Sequence, residues 1–277
     1  MTAPDLSADS RAGDPASPTS QAPSNAPSSG PAPAPRLRRI LAHARLEART
    51  LLTNGEQLMV AIAVPAFVLI GLRLLPVGRL EGVAPIDTAV AATLATALVS
   101  TSFTSQAIQT GFDRRNGVLR WVATTPLGRD GYLAGKVLAT LLVHVLQGAV
   151  LGLLALALGW RPELWGLLAA LPVWLVGTVA FGALGLLLAG RLRTEGVLAA
   201  SNLVFVLFVV GGISFPVAQY PRFLRGLVDL LPSGALGELL RACLAGSPFS
   251  VGSALVLVIW AVGASLAVIR LFRWTDA

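Results

Sequence analysis

Long uncharged runs alternate with short polar segments along most of this chain. Five of the runs reach the roughly 20 residues that a helix needs to cross about 30 Å of hydrocarbon; they cover residues 88–112, 137–160, 164–190, 197–221 and 242–269. A sixth run, at residues 57–72, is shorter, and it becomes a span if the long side chain of Arg73 reaches the interface. The pattern therefore predicts six transmembrane helices.

The composition of the chain agrees with this pattern. Of its 277 residues, 55% are hydrophobic and 13% are charged, and the mean hydropathy is +0.73. Soluble domains carry about 25% charged residues. We therefore expect an all-α integral membrane protein.

The basic residues predict the orientation of the spans, because cytoplasmic loops carry an excess of Lys and Arg near span ends. One side collects the arginines before the first span, the basic residues of segment 112–136, and the arginines after the fourth and sixth spans. That side holds more than twice as many basic residues as the other, so both termini are expected to be cytoplasmic. Topology and anionic lipid account for the net charge of +7, and nucleic acid is not an expected partner.

Two segments precede the first span. Residues 1–35 are rich in Pro, Ser, Ala and Gly and are predicted to form a disordered cytoplasmic tail. Residues 36–54 are predicted to form an interfacial helix, with a charged linker as the alternative. Asn54 is predicted to cap the first span, with Gln57 as its reciprocal partner. The interfacial helix is indicated by apolar residues that recur at helical spacing between arginines, namely Leu37, Ile40, Leu41, Ala44, Ala48 and Leu51.

The second span and the segment after the fifth span depart from simple apolar helices. The second span contains many Ser, Thr and Gln residues, so it is expected in the bundle interior, against a partner, or along a substrate path. Residues 218–248 predict two short helices, external and either interfacial or re-entrant. Pro232 is predicted to stop the first at Leu231, Ser233 to cap the second, and Gly246 to end it.

The sequence contains no recognisable catalytic or nucleotide-binding motif. His144 is the one histidine within a predicted span, and it is interpreted either as a hydrogen-bonded structural residue or as a relay. The segment from Gly131 to Lys136 lacks the spacing and the Ser or Thr of a phosphate-binding loop. Any energy source is therefore expected to be another chain.

Segment 112–136 is the main candidate for function. Its charged residues lie between two predicted spans. Turn residues flank a short apolar stretch of Val118, Leu119, Trp121 and Val122. Such an element suits docking into a groove on a soluble partner. A loop that only anchors to the interface remains an equal alternative on these residues alone.

Three stretches carry a resemblance to a known family: RLRRILAHARLEARTLLTNGEQL, DRRNGVLRWVATTPLGRDGYLAGK and GGISFPVAQYPRFLRGLVDLLPSGALGELLRACLAG. Together they resemble the ABC-2 class of ABC transporter permeases. The resemblance implies that residues 36–277 form one six-span permease domain of the ABCG-like, type V exporter architecture. It also implies separate ATP-binding subunits, in two copies or of two types, which would hold ATP and Mg. A second permease half, as homodimer or heterodimer, is implied too, and no cofactor is expected in this chain.

The resemblance also assigns roles to residues. Segment 112–136 becomes the cytoplasmic coupling loop, although Asp113 stands where the family often has Glu and Val118 where Thr is common. The coupling residues would be Asp113, Arg114, Arg115, Gly117, Leu119, Pro126 and Leu127. In relatives the second and fifth spans line the path between the halves, which makes the lining candidates Thr96, Ser100, Thr104, Asn202 and Phe205.

The leading hypothesis is therefore a permease subunit that exports an amphipathic drug, lipid or related molecule across a bacterial plasma (inner) membrane. The first alternative is an ABC permease for import, or for translocation of a cofactor such as haem. A different class is a membrane-embedded transferase that uses His144, and another is a scaffold without transport activity.

Overall fold

The computed structural model describes residues 34–53, 55–74 and 82–272. This part of the chain is helical and contains no strand. We number its helices in chain order: α1 Arg36–Thr53, α2 Gly55–Leu74, α3 Pro85–Arg115, α4 Val118–Thr124, α5 Gly128–Ala157, α6 Leu164–Ala189, α7 Thr194–Ile213, α8 Arg222–Leu230, α9 Pro232–Ala245 and α10 Val251–Leu271.

Five of these helices, α3, α5, α6, α7 and α10, are long and apolar enough to cross a membrane. Within α2 the apolar part is shorter and covers Ala61–Leu74. The predicted all-helical membrane architecture is confirmed, whereas six spans and cytoplasmic termini stay predictions. The predicted tail lies almost entirely, and Asn54 wholly, outside the described residues.

Helix α3 occupies the interior of the bundle, one of the three places that its polar sequence predicts. In its most apolar stretch 89% of the residues are buried, against 22% in α7 and in α10. Its apolar side packs against α6 and α9. Its polar residues pair across to α5, where Thr101 donates to Gln147 Oε1 over 3.0 Å, and a widened π-helical turn at Ser100–Ser105 contacts α6 and α7.

The fifth and sixth predicted spans are shorter in the structure than the uncharged runs. Helix α7 ends at Ile213 because Gly211 and Gly212 leave helical geometry, and Gly212 has a φ of 106° that favours glycine. The chain then forms α8 and α9, which lie where two short helices are predicted. The predicted cap at Ser233 is wrong: α9 already begins at Pro232, and the Ser233 hydroxyl donates to Gly211 O over 2.6 Å.

Candidate functional site

The short helix α4 is set off from α3 by a tight turn. Asn116 ends α3, and Gly117 follows with a φ of 73°. This left-handed conformation is open to glycine but costs other residues about 1–2 kcal/mol. The turn separates α4 from α3, and α4 contacts the end of α3 and α5.

Helix α4 has two different faces. Leu119 and Val122 are buried and pack with Tyr132 of α5. Val118 and Trp121 point away from the protein, and Trp121 keeps 68% of its surface exposed. The stretch that the sequence presents as one apolar surface is thus divided. Leu119 and Val122 pack α4 against α5, whereas Val118 and Trp121 are accessible to a partner or to lipid.

A cluster of buried charge lies directly beneath α4. The ammonium group of Lys136, on α5, is 3.1 Å from Asp113 Oδ2 on α3 and 3.2 Å from Glu47 Oε2 on α1. Lys136 is only 1% exposed. A lone ammonium at such a depth would lose several kcal/mol of hydration, and the two carboxylates offset that loss. This ion cluster of Glu47, Asp113 and Lys136 therefore links α1, α3 and α5.

Two aromatic rings complete the ion cluster. Tyr132 donates its hydroxyl to Asp113 Oδ2 over 2.7 Å, and its ring stacks on His43 of α1 with centroids 5.2 Å apart. Burial lowers the pKa of His43 below its ordinary value of 6.5, and the attraction of Glu47, 3.6 Å away, opposes this effect only in part. His43 is therefore neutral near pH 7, and the cluster carries one ammonium against two carboxylates.

Further hydrogen bonds fasten this region to its surroundings. Arg39 of α1 donates to Pro126 O, just after α4. Arg114 donates to Leu192 O, in the turn before α7. On the surface, Arg115 pairs with Glu195 of α7 at 3.3 Å. These bonds link α1 to the segment just after α4, and the end of α3 to the start of α7.

The predicted coupling residues differ in their positions. Asp113, Arg114 and Leu119 face inward, where they hold the region together. Gly117 forms the turn, and Leu127 is half-buried beside Tyr132. Arg115 and Pro126 are exposed. Trp121, Lys136 and Glu47 were not among the predicted coupling residues; the apolar stretch contained a signal for Trp121, but nothing local to the sequence pairs Lys136 with Glu47, 89 positions away.

The predicted path residues are also divided between interior and surface. Thr96 is buried and donates to Ala92 O in its own helix. Ser100 and Thr104 are half-buried in the π-helical turn that contacts α7. On α7, Asn202 is exposed and Phe205 packs against the core. The structure thus places α3 beside α7 but does not bring Thr96 to the surface.

A second buried charge, which the sequence interpretation had assigned to an external loop, lies at the opposite end of α7. Arg241 of α9 is 1% exposed. It donates to Ile213 O and Gly212 O, each over 2.9 Å, and pairs with Glu238 Oε1 at 3.0 Å. Glu238 Oε1 also accepts the amide of Val217 over 2.9 Å. This fork holds the carbonyls that the break at Gly211–Gly212 releases from the helix.

His144 is buried among hydrogen-bonding side chains. Trp174 donates to its Nδ1 over 3.0 Å, the Ser102 hydroxyl lies 3.4 Å from its Nε2, and the Thr178 hydroxyl lies 3.3 Å from its Nδ1. The residue is 3% exposed. Both ring nitrogens are thus occupied by neighbouring side chains, as the structural interpretation predicts.

Long apolar helices around a polar central helix, with a short amphipathic helix beside buried charge, are the architecture of a multi-pass helical membrane protein. A sequence model of the ABC-2 type transporter family matches residues 45–245, well over half of the chain. The chain therefore belongs to the ABC-2 type transporter family. It is a permease subunit of an ABC transporter, and membership implies association with ABC ATP-binding subunits. No curated protein matches the chain.

Proposed function

We propose that this permease moves an amphipathic molecule, such as a drug or lipid, outward, and that α4 receives the force of ATP hydrolysis from separate ATP-binding subunits. The observation that carries this proposal is the exposed Trp121 on a short helix whose other face is buried. An exposed tryptophan held on a rigid support is the kind of residue that dominates binding at protein interfaces.

The substrate path is proposed to run beside α3 and α7, where the π-helical turn lies next to α7. Ser100 and Thr104 provide hydroxyl groups there, and Asn202 and Phe205 lie on α7. ATP and Mg would be bound by the partner subunits. A second copy or a related permease would supply the other half of the path, in a plasma membrane with both termini on the cytoplasmic side.

Docking is tested by affinity purification of the tagged chain from native membranes, followed by measurement of the co-purified vanadate-sensitive ATPase activity. Trp121→Ala is expected to weaken association about thirtyfold, since loss of an interface tryptophan costs 2 kcal/mol or more. Trp165→Ala is the matched control, because Trp165 is similarly exposed, at 79%, on α6. Equal recovery of the ATPase with both variants would contradict docking through α4.

The direction of transport needs a separate measurement. Inverted membrane vesicles should accumulate ethidium or a short-chain fluorescent phospholipid when ATP and Mg are added. Movement in the opposite sense would favour the import alternative. Turnover of an acyl or prenyl donor without ATP, abolished by His144→Ala, would favour the transferase alternative.

A further inference from the structure

A cleft opens between α5, α6 and α10, and Gln106 of α3 also lines it. Its walls are formed by apolar residues of these three helices, including Val137, Val179 and Val268. Gly182 of α6 and Ser265 of α10 keep it open because their side chains are small. All three helices are long and apolar enough to span a membrane, so hydrocarbon surrounds the opening of the cleft.

The volume of the cleft, about 190 Å³, limits what can enter. Pockets for drug-sized ligands have about 300–1,000 Å³, so the cleft is too small for a complete substrate. An apolar cavity of about 150 Å³ accepts a group the size of benzene. The cleft is therefore suited to a segment of one hydrocarbon chain.

One polar group inside the cleft has an unmet hydrogen-bonding need. Gln106 of α3 lines the inner part of the cleft and is 6% exposed. Thr140 donates its hydroxyl to Lys136 O over 2.9 Å and must therefore accept from the Gln106 amide nitrogen. This fixes the orientation of the amide and leaves Gln106 Oε1 without a partner among the described residues. A buried acceptor without a partner destabilises the protein.

The missing partner must be a hydrogen-bond donor without charge. Lys136 also lines the cleft, but its ammonium is already paired with Asp113 and Glu47. Gln106 lies two helical turns from Asp113, about 10 Å deeper in the bundle at 1.5 Å per residue. A charged head group would lose far more hydration free energy at that depth than a hydroxyl group, and a hydrogen bond to Gln106 would offset the smaller loss of the hydroxyl. Gln106 Oε1 is covered in the structure; because the last torsion of glutamine is broad, a rotation that keeps the bond to Thr140 would turn Oε1 toward the donor.

We propose that this cleft binds a neutral, hydroxyl-bearing bilayer lipid of the diacylglycerol type, with one acyl chain between α5, α6 and α10 and its hydroxyl donating to Gln106 Oε1. The inference does not depend on the direction or substrate of transport. A lipid bound there would contact both α3, through Gln106, and α10.

The test uses the purified full chain in phosphatidylcholine nanodiscs that contain a low mole fraction of a diacylglycerol with a photoreactive diazirine in one acyl chain. The O-methyl ether of the same probe lacks the donor. After illumination, mass spectrometry should find labels on cleft residues of α5, α6 and α10. The ether should label them about fivefold less, because one hydrogen bond contributes about 0.5–1.5 kcal/mol.

Two variants and one control isolate the site. Gln106→Leu should label equally with both probes, because it lacks the acceptor. Gly182→Leu should reduce cleft labelling at least fivefold by filling the space. Gly148→Leu, on α5, is the control: a side chain added there meets nothing within 4 Å, and labelling should not change. Equal labelling of the wild-type chain by both probes, or labels spread evenly over exposed membrane helices, would overturn the proposal without any variant.

Discussion

Replacement of Lys136 by methionine tests whether the buried ion cluster holds the helices together. The change keeps most of the length of the side chain but removes its charge, and it leaves the carboxylates of Asp113 and Glu47 close together without a shared cation. Removal of one partner from a buried ion pair costs about 3–5 kcal/mol. The two carboxylates keep 26% and 17% of their surface exposed, so water compensates in part, and we expect about 3 kcal/mol.

The assay is thermal unfolding of the purified chain in detergent, followed by tryptophan fluorescence. For chains of about 150–250 residues, 1 kcal/mol shifts the unfolding midpoint by about 2–4 °C, so Lys136→Met should lower it by about 6–12 °C. Arg115→Met is the matched control, since it removes a cation from an exposed pair with Glu195. Exposed pairs contribute about 0–1 kcal/mol, so its midpoint should change by at most a few degrees.

A compensating variant distinguishes the lost attraction of Lys136 for the carboxylates from the repulsion between the two carboxylates that remain. Adding Asp113→Asn and Glu47→Gln to Lys136→Met removes every charge of the ion cluster while its volume is kept. Neutral replacement of a whole buried cluster is often tolerated, so the triple variant should recover more than half of the lost midpoint. An unchanged midpoint for Lys136→Met, or a triple variant no more stable than the single one, would refute the reasoning.

Three further predictions use the same unfolding assay. Gly117→Ala should cost about 1–2 kcal/mol because φ is 73° there, whereas Gly226→Ala, in the open surface of α8, should be neutral or slightly stabilising. Arg241→Lys should cost about 2–4 kcal/mol, since an ammonium cannot reproduce the planar fork to two buried carbonyls; an unchanged midpoint would mean that the fork is dispensable. Burial lowers the pKa of His43 in the folded state, so the unfolded state binds the proton more readily as the pH falls below about 6.5. The stability should therefore fall from pH 7 to pH 5 more in the wild type than in His43→Gln. Parallel pH curves for the two chains would contradict this.

The helices were accessible to sequence analysis because their signals are local. Continuous apolar runs predicted the long helices, and Pro232 and Gly246 marked the limits of the two short ones. The ends of α7 and α10 were predicted less well. An uncharged run continues past Ile213, but Gly212 adopts a positive φ that hydropathy does not register.

The contents of the candidate site were less accessible, because they depend on which distant residues meet. Lys136 was interpreted as one more cation of a basic loop, yet α1 and α3 bring two carboxylates to it. Arg241 was counted only as a basic residue on the external side of the membrane, although the carbonyls that accept its hydrogen bonds become available only where α7 is broken. In both cases the charge is stabilised by groups remote in sequence, which no local periodicity encodes.

The position of the ion cluster gives a physical reason why a force on α4 would reach the membrane helices. Leu119 and Val122 are buried, so a partner that pushes on Trp121 moves α4 as a unit with Tyr132. Tyr132 bonds to Asp113, and Lys136, one helical turn further along α5, holds the same carboxylate. Because a displaced carboxylate would leave a buried ammonium unpaired, α1, α3 and α5 are expected to move together, and α3 is the helix that lies beside α7.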